Sequence, residues 1–246
     1  MAGLWVGTSG FSYKEWRPQF YPAELKERDF LRYYASRLSS VEIDSTFYRM
    51  PRPTTLHAWR EATGERFRFA LKASRRITHV ERLRLPSASL DYLLTLLPAL
   101  GDRLGPLLVQ LPPDFPKDLP RLDGFLLSLS RGARAAVEFR HPSWHDPETF
   151  DLLRSRGAAL CIADTDEGTT PLEVTAPFVY VRLRRSSYEP AALGDWRRRM
   201  RVWEAGGLDV FAYVKHRDNP RAALIAEAVG GTPAPAPLPA PTRPPG

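Results

Sequence analysis

Val41, Glu42, Ile43 and Asp44 (VEID) decide how this chain is read. Side chains alternate faces along a strand, so Val41 and Ile43 fall on one side and two carboxylates on the other. Such a strand needs two environments at once. A barrel of parallel strands supplies both, because its outer face meets helices and its inner face meets the barrel axis. The same alternation recurs along the chain. Phe67, Phe69 and Leu71 oppose Arg68, Ala70 and Lys72, while Ala135, Val137 and Phe139 oppose Ala136, Glu138 and Arg140. Val179, Val181 and Leu183 oppose Tyr180, Arg182 and Arg184. The apolar sets suit a helix layer, which leaves the polar sets facing inward.

Working outward from this stretch, short β-rich runs fall at residues 4–8, 40–44, 66–72, 106–111, 135–140, 158–164, 178–183 and 209–215. Amphipathic, helix-like stretches lie between them at 30–38, 54–62, 89–100, 119–129, 147–156, 193–204 and 221–229. Asp146 before Pro147 is an N-cap and first-turn pair, and Gly157 closes the same helix. Eight strands alternating with helices predict an α/β, TIM-barrel-like (β/α)8 barrel in a single domain over residues 1–229. The length of 246 residues matches such a barrel. Residues 230–246 (GGTPAPAPLPAPTRPPG) form a Pro/Ala-rich tail, expected to be extended and disordered.

Composition narrows the function. Cys161 is the sole cysteine, which excludes an internal disulfide and a Cys-rich zinc site. It lies in an apolar run and reads as a buried, inert side chain. No signal-peptide pattern and no bilayer-length apolar stretch appear, so a cytoplasmic protein with no membrane partner is expected. The net charge of +7, mostly from arginine, admits an anionic small molecule or nucleic acid as partner. Much of that charge sits on helical surfaces such as DWRRRMR at 195–201, where solvation explains it.

Charges of both signs gather toward the carboxyl ends of the strands: Glu42, Asp44, Lys72, Glu138, Arg140, Asp164 and Arg182, with Gln110 beside them. This end of such barrels carries the active site, and isolated charges inside a barrel are costly. The sixth and eighth strands do not sort by alternation, so Asp164, Lys215 and His216 are placed by strand end alone.

Longer motifs then become recognisable. They are VGTSGFSYKEW at 6–16, FYP at 20–22, YYA at 33–35, VEIDSTFYRMP at 41–51, FALKASRRITH at 69–79, GPLLVQLPPDF at 105–115, AVEFRHPSW at 136–144 and FVYVRLRR at 178–185. Together with the strand end at Asp164 they resemble the YecE-like family known as domain of unknown function 72, in order, from about residue 4 to 229. The resemblance implies a TIM-barrel-like fold and brings no established activity. Many members resemble RLHG after the seventh strand and YFNND after the eighth. Here RLRR (182–185) and YVKHRDNP (213–220) stand instead, the mark of an RLRR/KHxD-type subgroup, so ligand assignments do not carry over to those two loops.

The residue types in the ring point to acid–base chemistry. Glu42, Glu138 and Asp164 are candidate acids or bases, and Lys72 a candidate catalytic cation able to stabilise developing negative charge. Thr8 and Ser9 of the glycine-flanked GTSG loop, with Tyr13, Tyr48, Gln110, Arg140, Trp144, Arg182 and His216, are candidate ligand-binding residues. Aromatic and basic residues cluster at the same mouth (Trp16, Phe47, Arg49, Arg184, Arg185 and Tyr188 among them), which suits stacking on bases or sugars, though Trp16 and Trp144 suit loop packing equally. No cofactor is implied. A divalent metal held by Glu42, Glu138, Asp164 and His216, joined by His79, His141 or His145, is open, yet no HxxE or HExxH spacing supports it. GxGxxG, Walker-type and GxSxG patterns are missing from the sequence. The leading expectation is an enzyme, hydrolytic or phosphodiesterase-like, acting on a phosphorylated or nucleic-acid-derived anion. The alternative is a non-catalytic barrel that binds nucleic acid or a partner.

Overall fold

A computed structural model of the chain describes residues 2–129, 132–215 and 221–230. Its eight barrel strands are β1 (Leu4–Thr8), β2 (Ser40–Ile43), β3 (Arg68–Lys72), β4 (Leu104–Gln110), β5 (Ala135–Glu138), β6 (Ala159–Thr165), β7 (Phe178–Leu183) and β8 (Asp209–Val214). Each pairs in parallel with the next from β2 to β8, and β8 pairs with β1. Around them run α1 (Phe30–Arg37), α2 (Pro53–Ala62), α3 (Ala88–Leu96), α4 (Leu119–Leu129), α5 (Pro147–Arg156), α6 (Pro190–Ala205) and α7 (Ala222–Gly230). The fold is the expected (β/α)8 barrel, nearly closed.

Three departures from an ideal (β/α)8 barrel have local causes. The helix expected at 89–100 ends at Leu96 and continues as tighter turns over Leu97–Arg103, where Pro98 removes a backbone donor. No helix separates β6 from β7, all of whose connecting residues are described. Gly168–Thr169 instead folds back on β6 as a short antiparallel strand. The α5 caps form as expected, Asp146 accepting from the Thr149 amide and Gly157 adopting φ +60°.

The third departure is the seam between β1 and β2. A single bridge, Ser9 with Glu42, joins these strands, and side chains complete the pairing. The Thr8 amide donates to the Tyr34 hydroxyl at 2.8 Å, that hydroxyl donates to Ser40 O at 3.0 Å, and the Val6 amide donates to Ser39 Oγ at 2.9 Å. The buried backbone groups are thereby satisfied without a ladder. Gly7 permits this approach, since a Cβ there would sit 1.8 Å from Ser40 O.

The strand faces sort as the alternation requires. Val41, Ile43, Phe69, Leu71, Val137, Val179, Val181 and Leu183 pack in the core beneath the helices. Inside the barrel, Ala70, Ala136, Ala159 and Cys161 share a second cluster with the aromatics Phe178, Tyr180, Phe211 and Tyr213. Large rings from β7 and β8 thus fill space left by small residues of β3, β5 and β6. Cys161 is buried in this layer, and burial pushes its thiol up. At the amino end, Trp5 stacks on Phe211 with centroids 4.9 Å apart, while Arg134 lies over the Phe178 and Phe211 rings.

Candidate active site

Above the aromatic layer the interior becomes charged. Arg182 of β7 sits at the centre, fully buried. Its Nη1 donates to Glu138 Oε2 at 2.6 Å and its Nη2 to Glu42 Oε1 at 2.7 Å. Glu42 also accepts from Ser9 Oγ and from the Tyr180 hydroxyl, each at 2.6 Å. Glu138 accepts from Gln110 Nε2 at 2.8 Å and faces Arg140 Nε at 3.4 Å. Burial disfavours ionised carboxylates, and alone it would raise both acids. Arg182 overrides it, helped at Glu138 by Arg140 and Arg184, so Glu138 falls to about 2 and Glu42 also falls below the usual range. One cation therefore holds two carboxylates ionised, and hydrogen bonds satisfy most of their remaining lone pairs.

Lys72 and Asp44 are held differently. The turn Asp44–Phe47 that follows β2 wraps over the end of β3. Thr46 Oγ1 accepts from the Lys72 amide at 3.1 Å and donates to the Lys72 carbonyl at 2.7 Å, which fixes the lysine backbone. The ammonium then lies 4.2 Å from the centre of the Phe47 ring and 3.9 Å from Asp44 Oδ1, too far for a hydrogen bond. Asp44 Oδ1 also stands 3.6 Å from Arg182 Nη2, and this oxygen is buried without a hydrogen-bond partner. Burial, outweighing Asp44, pushes the Lys72 ammonium below its ordinary value, and Arg182 adds to that shift. Burial and then Glu42 push Asp44 up, against Arg182 and Lys72. The side chain of Lys72 keeps 11% of its surface exposed and Asp44 keeps 35%, whereas Arg182 and Glu42 keep 1% and none.

Six of the expected site residues, Glu42, Lys72, Gln110, Glu138, Arg140 and Arg182, meet in this mouth, and Ser9 joins them through Glu42. Asp164 does not. On β6 it shares a face with Leu160 and Ile162, where Trp196 Nε1 of α6 donates to it at 3.0 Å and Arg185 and Thr169 also bond to it. Thr8 turns to the seam and bonds Gly10 O and the Tyr34 hydroxyl. The Tyr13 hydroxyl donates to Ser9 O, and the Ser9 hydroxyl is taken up by Glu42. Trp144 is completely buried, stacked on Phe139 and donating to Phe115 O, so it packs a loop and offers no ligand surface. Trp16 is buried as well. Tyr48 is 77% exposed on the rim. His216 lies outside the described residues, as does most of the Pro/Ala tail.

Residues given little weight in the sequence also reach the mouth. Asp44 and Arg184 follow from strand alternation beyond Glu42 and Arg182. Phe47 and His79 come from turns whose path alternation does not set. His79 packs edge-on to Phe47 and bonds Thr78 Oγ1 at 2.8 Å, and burial followed by Lys72 lowers its pKa. Among the described residues no group of three His, Cys, Asp or Glu is placed to hold a metal ion. None of the described helices is long and apolar enough to cross a membrane.

The family model for "Protein of unknown function DUF72" matches residues 5–236. The chain belongs to this family. Among its curated relatives is the UPF0759 protein YecE of Escherichia coli K12, 37% identical over 168 residues, covering 66% of this chain and 59% of that protein. The UPF0759 protein YunF of Bacillus subtilis is 25% identical over 188 residues, covering 70% of this chain and 66% of its own. The chain therefore spans less than two thirds of these relatives in the matched regions. A DUF72 family protein from Thermotoga maritima has the same fold, with TM-score 0.78 at 24% identity over 93% of this chain and 98% of that one. One from Enterococcus faecalis gives TM-score 0.75 at 20% identity, over 93% and 96%.

Proposed function

We propose that the barrel mouth is the active site of an enzyme acting on a small anionic substrate, phosphorylated or derived from a nucleic acid. The observation that carries this reading is the Lys72–Asp44 pair, a cation and a carboxylate left 3.9 Å apart in a mouth in which Arg182 takes up Glu42 and Glu138. Four cations (Lys72, Arg140, Arg182 and Arg184) face three carboxylates (Glu42, Asp44 and Glu138), and the excess positive charge favours an anion. Acid–base catalysis works best with groups that titrate near the working pH. Lys72 and Asp44 are shifted in that direction, while Glu42 and Glu138 are held ionised and serve as positioning residues. In a hydrolytic reaction, the Lys72 amine or the Asp44 carboxylate takes the proton from the attacking water.

Calorimetric titration with inorganic phosphate and with a nucleoside monophosphate tests this. Saturable binding is expected, weakened about tenfold or more in Arg140→Ala and Lys72→Ala. Equal binding by wild type and both variants, or none by wild type, overturns the reading. The non-catalytic alternative rests on exposed Tyr48 beside exposed Arg49, an aromatic and a cation suited to a nucleobase and phosphate. It predicts affinity for a single-stranded oligonucleotide that falls steeply with salt and is lost in Tyr48→Ala. Burial of Trp16 and Trp144 removes two of the aromatics that reading needs.

A further inference from the structure

Resting on the reading of this mouth as an enzyme site, we infer that Lys72 is a covalent nucleophile: its amine condenses with an aldehyde or ketone that also carries a carboxylate or phosphate, forming an imine on the protein. Three features of the mouth converge on this role.

The first is placement. Lys72 is the last residue of β3, and both of its backbone polar groups are fixed by Thr46, so the amine is presented from a rigid base. The second is the lack of a tight anion. Arg182 takes up Glu42 and Glu138, and Asp44 remains beyond hydrogen-bond distance at 3.9 Å. A lysine held only to balance charge gains most from a close carboxylate, whereas a nucleophile needs its lone pair free. The third is a set of groups for the rest of the substrate. Arg140, with 41% of its side chain exposed, stands at the rim, and Arg184 Nη1 is buried without a hydrogen-bond partner. Either can receive an anionic group while the carbonyl carbon meets Lys72.

Asp44 completes the chemistry. The Lys72 lone pair attacks the carbonyl carbon, a C–N bond forms, and the carbonyl π pair moves to oxygen, which takes the Asp44 proton. Asp44 then removes a proton from nitrogen and returns it to the hydroxyl, which leaves as water while the nitrogen lone pair forms C=N. The products are a protonated imine, a water molecule and an Asp44 carboxylate beside the new cation. No electrons are gained or lost, so neither oxidant nor reductant is needed. The charged groups that bear on the amine are Asp44 and Glu42 from β2 and its turn, Glu138 from β5 and Arg182 from β7, and His79 stands nearby. Burial and Arg182 favour the free amine, while Glu42 favours the acid form of Asp44.

The test is trapping on the intact protein with sodium borohydride, using glyoxylate and dihydroxyacetone phosphate as separate probes, followed by peptide mass mapping. The expected result is a borohydride-dependent adduct on Lys72, at about tenfold the level on exposed Lys14 and Lys26. Lys72→Arg keeps the charge and removes the adduct, and circular dichroism confirms its fold. Lys72→Met serves if the arginine variant does not fold. Absence of the Lys72 adduct with both probes overturns the inference, as does equal labelling of Lys14, Lys26 and Lys72. If dihydroxyacetone phosphate binds with dependence on Arg140 but neither probe is trapped, the covalent step fails and the anion-site reading stands. If it neither binds nor is trapped, both fail.

Discussion

Two opposite-charge groups share one end of the barrel and are built in contrasting ways. Glu42, Arg182 and Glu138 form a triplet from β2, β7 and β5 that is buried, bonded at 2.6–2.7 Å and further satisfied by Ser9, Tyr180 and Gln110. Lys72 and Asp44, beside it, touch loosely, keep some exposure and leave Asp44 Oδ1 unbonded. The buried network has every carboxylate oxygen bonded, although Arg182 Nε finds no partner, and it fixes geometry, while the loose, partly exposed pair at its edge is where a ligand gains most. The difference separates a frame from the proposed reaction centre.

The strongest way to break that comparison is to remove the shared cation. Arg182→Ala leaves two carboxylates buried and unpaired, and a loss of about 3–5 kcal/mol in urea unfolding is expected. A loss below about 1 kcal/mol means the triplet is no frame. Acid gives the next effect. The Glu138 pKa is depressed in the folded protein, so its contribution is complete above the unfolded value of about 4.3 and disappears as pH falls toward 2. A decline on the order of 3 kcal/mol across that window is expected, and its slope flattens in Glu138→Gln. Unchanged acid sensitivity in that variant removes Glu138 from the frame.

The remaining tests sharpen the other side. Lys72→Met deletes a charge that lacks a close partner, so stability stays within about 1 kcal/mol of wild type while phosphate binding is lost. A loss as large as that of Arg182→Ala places Lys72 in the frame instead. The smallest effect belongs to Tyr48→Ala on the exposed rim, within about 0.5 kcal/mol in stability. A larger loss there shows that the rim is ordered by this ring.

How much of the site was legible depended on which physical signal a residue carried. Glu42, Lys72, Glu138 and Arg182 each sit opposite branched or aromatic neighbours on their strands, so period-two alternation turned them inward. On β6 the alternation is inverted in polarity. Ala159 and Cys161 face inward because Tyr180 and its neighbours need small residues opposite them, and polar Asp164 faces the helices to accept from Trp196. A tryptophan 32 residues away is invisible to local pattern. Trp144 was ambiguous for a related reason, since its burial depends on Phe115 and Phe139 closing around it.

The sequence by itself determined the strand order, the helix spacing and which faces of β2, β3, β5 and β7 carry charge, because these follow from periodicities of two and 3.6 residues along a local stretch. Only the tertiary structure decided which charges meet. Arg182 bonds Glu42 and Glu138 and leaves Asp44 between itself and Lys72, at 3.6 and 3.9 Å, because the stagger of strands around a barrel sets the distances between them, and no single strand records it.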